Sequence, residues 1–220
     1  MVAFDESRMA SYLRRMTRSR IYLSVAVAAA CAAASAYAQS AGKEMMGPPG
    51  ANAAPATPDQ ISKLLADMHG KLATAPDAEA AAKVAASIER LWAHAGTDTS
   101  MVLMERSATA MAQNKNDLAL KFLTVAVELQ PDFAEAWNRR AVVFYSTNQI
   151  ERAVGDLRRV LALDPQHFKA LEGLSNILRE QGQKKAALTA MKKLLEVYPL
   201  APGVQQAHDE LVRDVEGQGI

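Results

Sequence analysis

Three prolines, Pro131, Pro165 and Pro199, stand 34 residues apart, and no other feature of this 220-residue chain constrains its fold as tightly. Ala119, Ala153 and Ala187 keep the same interval, as do the turn formers Asn114, Asn148 and Gly182. Leu103, Trp137 and Leu171 share a further register, and Leu123, Leu157 and Met191 another. A period of this length marks a stacked array, because each unit is one supersecondary element that cannot bury its apolar face alone. Each unit reads as a helix of about 14 residues, a short turn, and a second helix that ends at the proline. The small residues let the two helices of a hairpin approach closely, and Trp137 and Leu171 fill the space between neighbours.

A stack needs its ends covered. Val204, His208, Leu211 and Val215 follow at steps of 4, 3 and 4, which predicts an amphipathic closing helix over 202–216. Ahead of the repeats, Thr57 and Pro58 read as helix cap and first helical residue. Ile61, Leu64, Leu65, Met68 and Leu72 then lie on one helix face. Pro76 interrupts the pattern, which resumes from Asp77 to Ala95 with Val84, Ile88, Leu91 and Trp92, and Gly96 stops it. This 58–97 hairpin is expected to cover the first end of the stack.

The repeat resembles the tetratricopeptide repeat. Residues 134–167 carry the resemblance best, with Trp137, Ala141, Phe144, Ala153, Leu157 and Pro165 in register. Residues 168–201 keep Leu171, Leu174, Ser175, Ala187 and Pro199, while 100–133 depart most, with Arg106 and Ala110 where a leucine and an aromatic are usual. The resemblance implies an all-α solenoid of helical hairpins wound as a right-handed superhelix, with about three repeats between the N-terminal hairpin and the C-terminal capping helix.

The first 38 residues do not belong to this pattern. Arg14, Arg15, Arg18 and Arg20 precede the uncharged run "IYLSVAVAAACAAASAYA", which ends in Ala36-Tyr37-Ala38 before Gln39. A basic segment, an apolar segment and a small-x-small site form a secretory signal, with cleavage expected between Ala38 and Gln39 and a periplasmic or secreted product. Translation could begin at Met1, Met9 or Met16; the last leaves the more compact basic segment "MTRSR". Cys31, the only cysteine, leaves with the signal unless it is lipidated or the segment is retained as an anchor. Residues 39–57, rich in Pro, Gly and Ala, read as a flexible linker. It is long enough, about 25 Å root-mean-square, to reach the stack's concave face.

The whole chain has 25 basic and 24 acidic residues. Removing the signal takes five and two of these, leaving 20 against 22 and a net charge of −2. That balance argues against nucleic acid or an anionic membrane surface as partner. No glycine-rich phosphate loop, G-x-S-x-G or H-E-x-x-H is present. His69, His94, His167 and His208 are read as separate from one another, and Glu128, Asp156 and Glu196 as solvated charges. No cofactor, metal site or catalytic role is expected.

The resemblance also implies where binding occurs. In that family the first helix of each hairpin lines a concave groove that accepts a partner's segment. Its groove columns fall here on Met104 and Met111 in the first repeat, on Asn138, Arg139 and Tyr145 in the second, and on Lys169, Asn176 and Arg179 in the third. The carboxylate clamp of the chaperone-binding members falls on Met104, Ala108, Arg139, Lys169 and Gly173, of which only Lys169 matches. The expected function is a non-enzymatic envelope module that binds a peptide or protein segment in the groove. The alternative is an anchored structural or assembly subunit.

Overall fold

The computed structural model describes residues 58–217. The signal with its Ala38/Gln39 cleavage site, Cys31, the 39–57 linker and the Thr57 cap lie outside them. The described chain runs through α1 (Pro58–Ala73), α2 (Ala78–Ala93), α3 (Asp98–Ala112), α4 (Asn116–Leu129) and α5 (Ala134–Ser146). It continues through α6 (Ile150–Leu163), α7 (Phe168–Glu180), α8 (Lys184–Val197) and α9 (Val204–Glu216). Among the described residues there is no strand.

The 34-residue period is written into the backbone. Asn114, Asn148 and Gly182 all take the left-handed conformation, with φ of 57°, 59° and 71°. Glycine and asparagine adopt it at least cost, so these columns tolerate little else. Each turn closes on the same bond: the N–H groups of Lys115, Gln149 and Gln183 donate to the carbonyls of Ala110, Phe144 and Leu178, each at 2.8 Å. That contact helps to satisfy a carbonyl of the helix's last turn, which Ala110 shares with the Gln113 N–H and Phe144 with the Thr147 hydroxyl. Ala119, Ala153 and Ala187 are wholly buried where the paired helices α3–α4, α5–α6 and α7–α8 meet.

Burial between units completes the stack. Ala136 and Val143 of α5 bury against the first hairpin, with Met104, Ala119 and Leu123. Ala170 and Ile177 of α7 bury against the second, with Phe144, Ala153 and Leu157. Trp137 packs on both clusters, and its indole N–H donates to the Pro131 carbonyl at 3.1 Å. Leu211 of α9 closes the last unit with Leu178, Ala187 and Met191. Asp156 departs from the sequence reading. It is 6% exposed and accepts two bonds from Arg140, 2.7 and 2.9 Å long. Two helix faces that each look amphipathic in isolation meet here, so the carboxylate is interior.

The α1–α2 hairpin departs further. It lies along the edge formed by the turns between repeats instead of covering the first repeat. Ala81, Ala85, Ile88 and Trp92 form a single stripe of α2 and bury with Leu72 against Phe168, Leu171, Leu194 and Tyr198. Near the start of α3, Gly96 sits against the Phe133 ring, and the Thr97 N–H donates to Gln130 Oε1 at 2.9 Å. The edge offers a continuous apolar seat and polar partners. The outer face of repeat 1 presents Arg106 and Thr109, both exposed.

Candidate functional site

Five of the residues expected to line the groove, Asn138, Arg139, Tyr145, Asn176 and Arg179, are carried by α5 and α7. Glu135, 14% exposed, gathers two of them: Asn138 Nδ2 and Arg139 Nε each donate to its carboxylate at 2.9 Å. Asn138 is thereby withdrawn to 9% exposure, while a third of the Arg139 side chain stays open. The Tyr145 hydroxyl donates to Glu180 at 2.6 Å, bridging α5 to α7. Burial, and then that carboxylate, push the hydroxyl's pKa well above the ordinary tyrosine value. Between Arg139 and Tyr145, Val142 stands 49% exposed, with half-buried Asn176 and exposed Arg179 on α7.

Three predicted contacts are placed differently. Met104 is 4% exposed and belongs to the core of the first repeat, and Met111 is half-buried against the same cluster. The apolar stripe of α3 faces its own hairpin partner, which is the ordinary fate of such a stripe. Lys169 is half-exposed, but it lies 3.4 Å from Glu89 of the α1–α2 hairpin and 3.9 Å from Glu172. Burial alone would depress its pKa. Glu172 and Glu89 outweigh burial and hold the ammonium charged. Lys169 therefore ties the hairpin to the N-terminal end of α7.

The same edge brings together histidines that are 98 residues apart in sequence, His69 and His167. Trp92 is the centre of the cluster. Its indole N–H donates to Asp164 Oδ2 at 2.9 Å, and its ring stacks on His167 at 3.8 Å and 10°. Phe168 and His69 flank it at 4.8 and 5.9 Å. His167 accepts the Ala170 N–H on Nδ1 at 3.3 Å, which caps α7 and places the remaining ring proton on Nε2, 3.5 Å from Glu135. Burial would raise the Glu135 carboxyl, but His167 and Arg139 overcome it and hold the group below the ordinary glutamate range. The repeat spacing puts His167 at the boundary between two units. It carries no signal for His69, which only the folded-back hairpin delivers.

His69 is 4% exposed, and neither ring nitrogen has a hydrogen-bond partner. It lines a cavity of about 410 Å³ between the hairpin and the turns at 130–135 and 163–166. Burial lowers its pKa; Asp164 opposes that and His167 adds to it. A base with a depressed folded pKa binds more protons when unfolded. Its stabilising share is therefore complete above the unfolded value, about 6.5, and is lost as pH falls toward the folded one. Thermal melts are expected to show the domain less stable at pH 5 than at pH 7. His69→Leu should flatten that slope and add about 1 kcal/mol at pH 7, since an orphaned buried polar group costs about 1–3 kcal/mol. An unchanged slope in this variant would assign the acid sensitivity elsewhere.

Among the described residues no group of three or more His, Cys, Asp or Glu could hold a metal ion. No described helix is long and apolar enough to cross a membrane. The arrangement offers surfaces: α5 and α7 expose Val142 and Arg179 and leave Arg139 a third open, and an edge of the repeats is already occupied by the chain itself.

Comparison with known proteins agrees with this architecture. The first tetratricopeptide domain of Spaghetti (RPAP3), bound to the HSP90 peptide SRMEEVD, superposes with a TM-score of 0.51 at 18% identity. It covers 54% of this chain and 94% of that one. The Sgt2 domain from Aspergillus fumigatus superposes at 0.51 and 22% identity, over 56% and 83% of the two chains. In sequence, a TPR repeat-containing protein of Rhizobium etli is 33% identical over 141 residues, 64% of this chain and 69% of its own. The small glutamine-rich tetratricopeptide repeat-containing protein 2 of Saccharomyces cerevisiae is 31% identical over 88 residues, 40% of this chain and 25% of that protein. The profile described as tetratricopeptide repeat matches residues 106–167 and 146–203. With its 34-residue period, its left-handed turn column and these relatives, the chain belongs to the tetratricopeptide repeat family.

Proposed function

We propose that this chain is a non-enzymatic interaction module of the bacterial envelope that holds an extended segment of a partner protein against α5 and α7. The observation that carries the reading is the inner wall itself. Val142 stands exposed between Arg139 and Tyr145 on α5, and α7, tied to α5 by the Tyr145–Glu180 hydrogen bond, carries half-buried Asn176 and exposed Arg179. An exposed aliphatic residue ringed by amide, hydroxyl and guanidinium groups suits a segment with one apolar anchor and a carboxylate beside it. The Spaghetti domain, which shares the fold, is bound to a peptide that ends in an acidic residue. The five-residue chaperone clamp is not the means here, because Lys169 alone matches it and Lys169 is engaged by Glu89.

The envelope location rests on the segment ahead of Gln39. Mass spectrometry of the N-terminus from the native host is expected to give a chain starting at Gln39. A retained 21–38 segment, or a lipid on Cys31, would replace a free module with an anchored one.

Binding is tested by a crosslinking pull-down from the native envelope. The wild-type chain is run beside a Val142→Asp/Arg179→Glu variant, and both are checked by circular dichroism. Both sites are on the surface, so helicity is expected to be unchanged, while partner recovery falls at least about tenfold. Equal recovery from the two baits would remove the inner wall from the function.

A further inference from the structure

Among the described residues nothing covers the outermost face of the first repeat, and the other repeats show what that face is built for. Ala136 and Ala170, one period and two periods after Val102, are wholly buried against the preceding hairpin, whereas Val102 is 47% exposed. Val143 and Ile177 are 0% and 3% exposed, whereas Thr109, in the same column, is exposed. Along α4, Leu118, Phe122, Val125 and Leu129 recur at steps of 4, 3 and 4. Leu118, Val125 and Leu129 are 40%, 42% and 59% exposed. Between this stripe and Val102 lies a cavity of about 450 Å³ whose wall also carries Glu105 and Arg106. A stripe beside a hollow is a shape that a rotated copy of itself can fill.

We propose that this face pairs with the same face of a second copy of the chain, giving a two-fold dimer through α3 and α4. Two observations choose this occupant. The first is charge: Glu105 and Arg106 adjoin the hollow, and Lys121 and Glu128 are exposed on α4, so the patch is neutral and carries both signs. A two-fold axis through the hollow lets each copy's Glu105 meet the other's Arg106, whereas a strongly charged partner would find no matching field. The second is closure. Stacking this face onto the far end of another copy would build an open filament, but α9 closes that end. It turns Val204 and Leu211 inward and leaves Gln205, Gln206, Asp209, Glu210 and Asp214 exposed. One apolar end and one polar end permit the pairing of like ends, which stops at two. The dimer leaves the inner wall of α5 and α7 free, so it stands or falls independently of the peptide-binding reading.

Light scattering coupled to size exclusion tests this on the full chain, purified under reducing conditions in the N-terminal form its host leaves it. Twice the monomer mass is expected at tens of micromolar. Val102→Glu/Leu118→Glu should weaken dimerisation about thirtyfold or more, with the circular dichroism spectrum unchanged. Asp209→Lys/Glu210→Lys on α9 should leave the dimer intact. A monomeric wild-type chain overturns the proposal. If that monomer shows α3 and α4 amides protected from exchange, the N-terminal segment of the same chain covers the face instead. A dimer that survives in the α3/α4 variant, or is lost in the α9 variant, overturns it equally.

Discussion

Replacing Trp92 by alanine is expected to cost about 3–5 kcal/mol, the usual penalty for emptying a buried aromatic site. Trp92 is 4% exposed, and it holds the α1–α2 hairpin by three different means. Its ring fills the seat between His167 and Phe168, its N–H donates to Asp164, and it closes one end of the stripe formed with Ile88, Ala85 and Ala81. Truncation removes the first two outright and leaves the Asp164 carboxylate without its indole donor. The loss should be local. The clusters between repeats 1 and 2, and between repeats 2 and 3, contain no residue of the hairpin other than Ala95 at its exit. Hydrogen exchange is therefore expected to show α1 and α2 losing protection while α5 and α6 keep theirs. Urea unfolding should develop an early phase for the hairpin. A loss below about 1 kcal/mol, or one spread evenly over all helices, would mean that the hairpin is not seated by this residue.

Asp156→Ala is the second large effect, also about 3–5 kcal/mol, and its cause is charge. Arg140 donates Nε and Nη2 to the two oxygens of Asp156, and the side chains are 14% and 8% exposed. The guanidinium also lies over Trp137 at 4.7 Å and over Phe144 at 5.5 Å, so it cannot move to water without opening the second hairpin. Removing the carboxylate leaves a buried cation unpaired. Replacing both partners, as in Arg140→Met/Asp156→Leu, removes the desolvation cost along with the pair. That double variant should recover most of the stability. Thermal and urea melts of the wild type and three variants (Asp156→Ala, Arg140→Met and the double) form a cycle that isolates the pair. Additive losses would show that the two side chains act through packing alone. Since a domain's whole stability is about 5–15 kcal/mol, either single change should lower expression and solubility visibly.

Much of this was legible in the chain because its physics is local and repeated. The columns at 114/148/182 and 119/153/187 announced a turn and a close helix contact, and both are found at every occurrence, the turn in left-handed form. The closing helix was legible for the same reason, as Val204 and Leu211 carry one face of α9 into the core. Residues whose fate depends on a distant neighbour were not. Met104 falls in the same groove column as Asn138, yet its own hairpin buries it. Asn138 fits a groove column, yet Glu135, one turn away, claims its amide. Asp156 looks like a solvent-facing charge until α5 brings Arg140 against it.

The course of the N-terminal hairpin belongs wholly to the tertiary structure. The sequence by itself determined that two helices precede the repeats, since apolar period, caps and Pro76 act within a few residues. Periodicity records only that a stripe must be buried and is silent on the surface that buries it. The end of repeat 1 and the edge of repeats 2 and 3 were both open to α2. Complementarity chose the edge, with apolar seats for Ile88 and Trp92, a carboxylate for the indole, and Lys169 for Glu89. That choice gathers His69, Trp92 and His167, and among the described residues it leaves Val102 and the α4 stripe without a cover. Local rules fixed the units and their stacking, while long-range packing decided which surfaces remain to meet a partner.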